Sequence, residues 1–138
     1  MKTLYEAEAT STGDGRNGRA RTSDGILDVD LAMPVAMGGS GDATNPEQLF
    51  AAGYAACFHS ALLTVARRLR LDLGDSHVTA KVALGSTEQR AYQLAVQLTA
   101  HLPTVDEVVA QELIEAAHQL CPYSQATRGN IDVVLDAA

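Results

Sequence analysis

Two stretches of strict alternation dominate the middle of the chain. Val78, Ala80, Val82 and Leu84 share one parity in the first, and Tyr92, Leu94, Val96 and Leu98 share one in the second, with Gln93, Gln97 and Thr99 between them. A period of two is the strand signature, so these stretches predict an antiparallel pair with one wet face, joined by a turn at Gly85–Arg90. Ile131, Val133 and Leu135 repeat the pattern as a closing strand. Near the N-terminus, Asn17-Gly18 and Asp24-Gly25 are hairpin signals, because Asn and Gly tolerate positive φ. They predict strands near Leu4–Thr12, Arg19–Thr22 and Ile26–Leu31, followed by a flexible loop at Gly38-Gly39-Ser40-Gly41.

Two helices interrupt the strands. Thr44-Asn45-Pro46-Glu47 reads as a helix start, with Thr44 and Glu47 as a capping box and Pro46 in the first turn. This helix is predicted to run to about Leu71, with Arg67, Arg68 and Arg70 at the negative end of its macrodipole. Small residues at Ala51, Ala52, Gly53, Ala55 and Ala56 let another backbone approach it closely. The second helix is capped by Thr104 and Glu107, carries an apolar stripe of Val105, Val109, Leu113, Ala116 and Leu120, and stops before Pro122. The sum is an α+β fold, an antiparallel sheet packed against two main helices, in one domain covering residues 1–138.

Leu49–Ala66 contains no formal charge and is apolar on nearly all sides. At 18 residues it reaches the lower limit of a membrane span. Gly53, His59, Ser60 and Thr64 keep its hydrophobicity modest, so a buried central helix is the better reading. One small sheet hardly covers such a helix, which predicts a homodimer that buries the remaining face.

The chain has 138 residues, the size of one ordinary domain. With 46% hydrophobic and 20% charged residues it is not a disordered chain. Trp is absent and aromatics are 4%, so Ala, Val and Leu must build the core. The net charge of −7 argues against nucleic acid or an anionic membrane as the main partner. The polar opening Met1–Thr10 lacks the apolar stretch of a signal peptide, so a reducing cytoplasm is the expected compartment.

The chain's two cysteines lie 64 positions apart, Cys57 inside the apolar helix and Cys121 at the end of the second helix beside Pro122. Each can be a small packing residue, as most free cysteines are. In a reducing compartment a thiol pair is also a candidate for redox chemistry. His59, His77, His101 and His118 show no metal-ligand spacing with the cysteines, and no metal is expected. His59 lies about 200° around the helix from Cys57, so it cannot serve as its base.

Longer motifs surround both cysteines. Gly38-Gly39-Ser40-Gly41 followed by Thr44-Asn45-Pro46-Glu47-Gln48-Leu49-Phe50-Ala51-Ala52-Gly53-Tyr54-Ala55-Ala56-Cys57-Phe58 resembles the first cysteine motif of the organic hydroperoxide resistance (Ohr) branch of the OsmC/Ohr family. Cys121-Pro122-Tyr123-Ser124-Gln125-Ala126-Thr127-Arg128-Gly129-Asn130 resembles the second motif, and Gly15-Arg16-Asn17-Gly18-Arg19 the N-terminal arginine motif. The stretch before Thr44 is about one residue shorter than the family pattern, a difference confined to a loop. The resemblance implies an intertwined homodimer and a thiol peroxidase that reduces organic and lipid hydroperoxides. It matches Cys57 to the peroxidatic cysteine, Cys121 to the resolving one, and Arg16 and Glu47 to the residues that organise the site. It implies no bound cofactor. The external reductant would be the dihydrolipoyl group of a lipoylated protein.

Thiol chemistry bears on these assignments. Only the thiolate attacks, and a free cysteine titrates near 8.5. Cys57 is mid-helix, without help from a helix N-terminus, and burial raises its pKa; a cation is required, and arginine stays charged when desolvated. Arg16 fits that part, although on the residues alone it reads first as a solvated turn arginine, and Arg19 competes with it; only the resemblance separates the two. Glu47 stands ten positions before Cys57, about 15 Å along a straight helix. Either the helix breaks near Gly53, or Arg16 bridges the gap, or a partner subunit donates Glu47. Cys121 at a helix C-terminus faces a dipole that disfavours an anion, but a resolving thiol need only attack a sulfenic acid. The resulting disulfide should be partly exposed to an external dithiol. Phe50, Met33 and Met37 are candidates to line an alkyl pocket, or to be ordinary packing. Two other functions fit the same scaffold: an OsmC-type peroxidase of broader substrate range, and a non-enzymatic redox or ligand-binding module.

Overall fold

The alternation in the middle of the chain folds as read. In the computed structural model, which describes residues 1–138, β4 (His77–Ser86) pairs antiparallel with β5 (Tyr92–His101). Val82 stands opposite Val96, Ala80 opposite Leu98 and Val78 opposite Ala100, so each apolar residue meets another on the same face. Thr79, Lys81 and Ala83 on the other face of β4 are exposed. Tyr92 falls outside this pattern. It has the inward parity and pairs with Ser86, but it is 77% exposed, because it is the first residue of β5 and lies outside the core cluster.

Two compact units divide the chain, Met1–Leu49 and Phe50–Ala138. The first holds the antiparallel sheet β1 (Ala9–Thr12), β2 (Arg19–Thr22) and β3 (Asp28–Asp30). Its strands are shorter than the sequence pattern suggests. Leu4 and Tyr5 precede β1 and are 89% and 80% exposed, since the four residues of β2 leave them no ladder partner. Asp24-Gly25 forms the expected tight turn, with Gly25 at φ +73° and the Asp24 carboxylate accepting from Thr22 Oγ1 and the Ile26 N–H. Asn17-Gly18 does not close a two-residue hairpin. Residues 13–18 form a wider connection built on a 3₁₀ turn at Gly15–Asn17, and Arg16 sits in the middle of it.

The second unit holds the core. Tyr54, Phe58, Leu62 and Ala66 of α1 (Pro46–Arg68) pack with Val96 and Leu98 of β5 and with Leu113, Ile114 and Ala117 of α2 (Glu107–Leu120). α1 is long and apolar enough by length and composition to cross a membrane, but its buried side chains belong to this core. The short helix α3 (Pro122–Thr127) follows α2 directly. β6 (Val133–Ala137) then pairs with β5 in parallel, with Val133 opposite Val96 and Leu135 opposite Leu98. The α+β class holds. Within it, the strands form two three-stranded sheets, and the closing pair is parallel, with α2 and α3 in the crossover that such a pair requires.

Helix ends depart from the sequence reading in instructive ways. Asn45, not Thr44, caps α1: its side-chain oxygen accepts from the Gln48 N–H at 2.9 Å. Thr44 Oγ1 instead donates to Gln48 Oε1. α1 ends at Arg68, short of Leu71, because Arg70 turns left-handed at φ +58°. The Leu71 N–H then reaches the Ala66 carbonyl and the Arg70 N–H the Arg67 carbonyl, a Schellman closure that satisfies two helix-end acceptors. Asp106 caps α2 by accepting from the Val109 N–H, while Thr104 Oγ1 donates to the Asp72 carbonyl. The buried face of α2 is Ala110, Leu113, Ile114 and Ala117, rotated from the expected stripe, and Leu120 is 37% exposed.

Leu98 is 1% exposed, whereas Val134 on β6 is 53% exposed. Leu98→Ala is expected to lower the unfolding free energy by about 2–5 kcal/mol, and Val134→Ala to change it by no more than about 0.5 kcal/mol. Chemical denaturation of the two variants beside the parent checks this contrast.

Candidate active site

Pro122 determines where Cys121 stands. The residue before a proline avoids the α region, and Cys121 accordingly adopts φ −64° and ψ 124°. It ends α2, with its N–H donated to the Ala117 carbonyl, and it begins α3, with Pro122 in that helix's first turn. The helix-end position read from sequence is therefore only half of its setting. The elbow turns Cys121 inward, where it is wholly buried. Its thiol points at Cys57 of α1, Sγ to Sγ 3.3 Å, and both thiols are free. A disulfide needs about 2.0 Å, so a small approach closes the bond. Cys57 is only partly buried, so access to such a bond would be from the Cys57 side.

Burial pushes the Cys57 thiol above its ordinary range, the Tyr123 backbone N–H pulls it back, and the neighbouring Cys121 thiol raises it further. The expectation that Cys57 has no helix N-terminus to help it needs correction. α1 gives none, but Tyr123 lies in the first turn of α3, where its N–H has no helical acceptor. Pro122 has no N–H to offer.

Arg16 and Glu47 form a bidentate ion pair, Nη1 to Oε2 at 2.9 Å and Nη2 to Oε1 at 2.7 Å. Glu47 occupies the first turn of α1, and its side chain is 16% exposed against 38% for Arg16. Both carboxylate oxygens of Glu47 thus face Arg16, and the capping box expected from sequence is not formed. The guanidinium beside it holds the Glu47 carboxyl below its ordinary range, against the opposing effect of burial. Arg19, the competitor, is committed elsewhere: its Nε and Nη2 both donate to Asp28 at 2.7 Å. Helix α1 runs unbroken through Gly53, which removes a helix break as a route from Glu47 to Cys57.

A buried hydroxyl cluster ties α1 to α3. Tyr54 Oη lies 2.9 Å from Ser124 Oγ and 3.0 Å from Thr127 Oγ1, and Ser124 Oγ also meets His118 Nδ1 at 2.8 Å. Burial and the Arg128 guanidinium lower the His118 pKa, which favours the neutral ring. Sequence reasoning missed this cluster. Its available signal was Ser124 and Thr127 three apart on one helical face, with Tyr54 three before Cys57. His59, set aside as a base for Cys57, bonds Ser76 Oγ through Nε2 at 2.9 Å.

Phe50 stands at ring distances of 5.9 Å from Tyr54 and 6.0 Å from Tyr123. It also lines a cavity of about 630 Å³ within the second unit, whose wall includes Tyr92, Leu94, Ile131, Gln93 and Asn130 and no charged residue. Met33 and Met37 belong to the first unit and are not on that wall. No group of three or more His, Cys, Asp or Glu side chains is placed to hold a metal.

Tyr54→Phe leaves Ser124 and Thr127 without their shared partner, and is expected to cost about 1–3 kcal/mol of unfolding free energy. The Arg16–Glu47 pair has a pH signature. A depressed carboxyl contributes its stability in full above the ordinary glutamate range and loses it as the pH falls through the depressed value. The stability gap between the parent and Glu47→Gln should therefore narrow as the pH drops below about 4. Denaturation at a series of pH values reads it directly, and a constant gap would mean the pair contributes nothing.

A family model described as OsmC-like protein matches residues 39–136. The chain is 50% identical to the organic hydroperoxide resistance protein of Xanthomonas axonopodis pv. citri, over 99% of this chain and 96% of that protein. Its fold matches an organic hydroperoxide resistance protein from Legionella pneumophila at a TM-score of 0.95, with 49% identity and 99% of each chain covered. It matches the organic hydroperoxide resistance protein OhrB of Bacillus subtilis at a TM-score of 0.89, with 45% identity over 99% of this chain and 100% of that one. The motifs, the fold and these likenesses agree: the chain belongs to the OsmC family, in its organic hydroperoxide resistance branch.

Proposed function

We propose that this protein is a cysteine-based peroxidase that reduces organic hydroperoxides to alcohols. The observation that carries the reading is the 3.3 Å approach of Cys121 Sγ to Cys57 Sγ, made by two residues 64 positions apart. Packing needs no such convergence, whereas a peroxidatic and a resolving thiol require it. The names of the relatives supply the substrate class.

In the proposed cycle the Cys57 thiolate attacks the distal peroxide oxygen. The O–O bond breaks, the alkoxide leaves and takes up a proton as alcohol, and Cys57 becomes a sulfenic acid. Cys121 Sγ then attacks that sulfur; an S–S bond forms, the S–O bond breaks, and water departs. A dihydrolipoyl group, the external reductant, opens the disulfide by thiol exchange and is itself oxidised to the cyclic disulfide. Cys57 is the more exposed of the two sulfurs and thus the one open to attack. Because burial raises the Cys57 pKa, the thiolate needs a cation. The Arg16 guanidinium is assigned that part, with Glu47 fixing its orientation through the bidentate pair. The uncharged, largely apolar cavity beside Phe50 suits an alkyl group better than a small polar peroxide.

The remaining parts of the reading are a homodimer and a reducing, cytoplasmic setting. Leu63 on α1 is 38% exposed, and other apolar side chains of the same helix are only partly covered, which favours a second copy.

Peroxide consumption with dihydrolipoamide, comparing cumene hydroperoxide with hydrogen peroxide, tests the function. Cys57→Ser is expected to abolish turnover. Cys121→Ser should leave single-turnover sulfenic acid formation intact and block lipoyl-driven cycling. Full activity in Cys57→Ser would overturn the reading. Preference for hydrogen peroxide would point to a broader-range enzyme, and no turnover in the parent to a binding module.

A further inference from the structure

Gly53 is out of place by helix propensity. It lies inside α1 among Ala51, Ala52, Ala55 and Ala56, where alanine is the better helix former. Space supplies the reason. A Cβ at this position would lie 2.8 Å from Tyr123 Oη, 3.2 Å from its Cε2 and 3.3 Å from its Cζ. The Tyr123 ring rests on the bare glycine backbone, with the Tyr54 ring centre 5.6 Å away and that of Phe50 6.0 Å away.

The position of this contact links it to the chemistry. Cys57 is four residues after Gly53, on the same face of α1 one turn along. Cys121 is two residues before Tyr123, at the start of the same short helix. The ring-on-glycine contact therefore stands one turn from the sulfur–sulfur contact on one element and within a single turn of it on the other. Tyr123 keeps 38% of its surface exposed, so its ring is held in place without being an interior core residue.

We infer that Gly53 is a positioning residue for disulfide closure: it is the seat for the Tyr123 ring, and so sets how deeply α3 settles on α1 and how closely Cys121 approaches Cys57. This rests on the proposed disulfide cycle. In the step concerned, Cys121 Sγ attacks the sulfur of the Cys57 sulfenic acid, hydroxide leaves, and the Cys121 proton makes it water, with no other oxidant involved. The sulfurs must pass from 3.3 Å to about 2.0 Å, so a displacement of a fraction of an ångström weighs heavily on the rate. The preceding attack on peroxide does not use the Cys121 sulfur; α3 reaches that step only through the Tyr123 N–H, which burial outweighs at Cys57.

The test separates the two steps. Gly53→Ala is reacted with one equivalent of cumene hydroperoxide, quenched at intervals, and read by mass spectrometry, with dimedone trapping the sulfenic acid. Sulfenic acid formation is expected to stay within about threefold of the parent, while closure slows about tenfold or more, so the sulfenic acid accumulates. With Tyr123→Ala already present, adding Gly53→Ala should slow closure no further, because no ring remains to collide with the methyl. A Gly53→Ala variant that closes within about twofold of the parent overturns the inference, as does equal slowing with and without the Tyr123 ring. A parent that forms sulfenic acid but no Cys57–Cys121 bond overturns the cycle itself, and with it this role.

Discussion

The hydroxyl of Tyr54 is the tie on which the thiol site depends. It is fully buried on α1 and bonded to Ser124 and Thr127 of α3. A buried phenol without partners would carry a desolvation cost, so the two helices are held in the register that satisfies it. That register carries Cys121 to Cys57. Ser124 lies three residues after Cys121, and Tyr54 three residues before Cys57, so the hydrogen bond and the sulfur contact are separated by about one helical turn on each element. Ser124 also bonds His118 on α2, which couples the elbow around Pro122 to the helix before it. Polar specificity inside an apolar core therefore fixes the reactive geometry.

Burial gives the site its shape and works against its chemistry. Desolvation holds the Cys57 proton on, although the proposed first step needs the proton gone. The backbone N–H of Tyr123, a donor left free by the beginning of α3, answers this in part. In the proposed cycle the rest is assigned to Arg16, whose guanidinium is oriented by a two-point bond to Glu47. The proposed division of labour between the cysteines rests on their settings. Cys57 is partly open and raised by burial, whereas Cys121 is enclosed at a helix junction.

Much of this was legible in the chain. The central hairpin follows from period-two alternation, and its register pairs apolar with apolar, Val82 against Val96 and Ala80 against Leu98. Both long helices were legible from their apolar pattern and from the prolines beside them. Their ends were less so, because capping is decided by which of several neighbouring polar residues reaches the free N–H groups. Asn45 prevailed over Thr44, and Asp106 over Thr104, which found an acceptor on Asp72 instead. Glu47 left its capping role because a guanidinium offers a carboxylate two charge-assisted bonds. The parallel return of β6 was not legible, since a single strand pattern carries no direction of pairing.

The sequence by itself determined the α+β class, the apolar helix that carries Cys57, the proline that halts the chain at Cys121, and the motifs that mark the family. These are local matters, written in periodicity, backbone restriction and the order of residues along the chain. The tertiary structure decided which side chains meet. It brought Cys121 to 3.3 Å from Cys57, committed Arg19 to Asp28 and Arg16 to Glu47, and turned Tyr54, Ser124 and His118 into one cluster. The physical reason is the range of the interactions. Helix and strand patterns express forces between residues a few positions apart, whereas a sulfur contact between positions 57 and 121 exists only after hydrophobic burial has packed separate elements together.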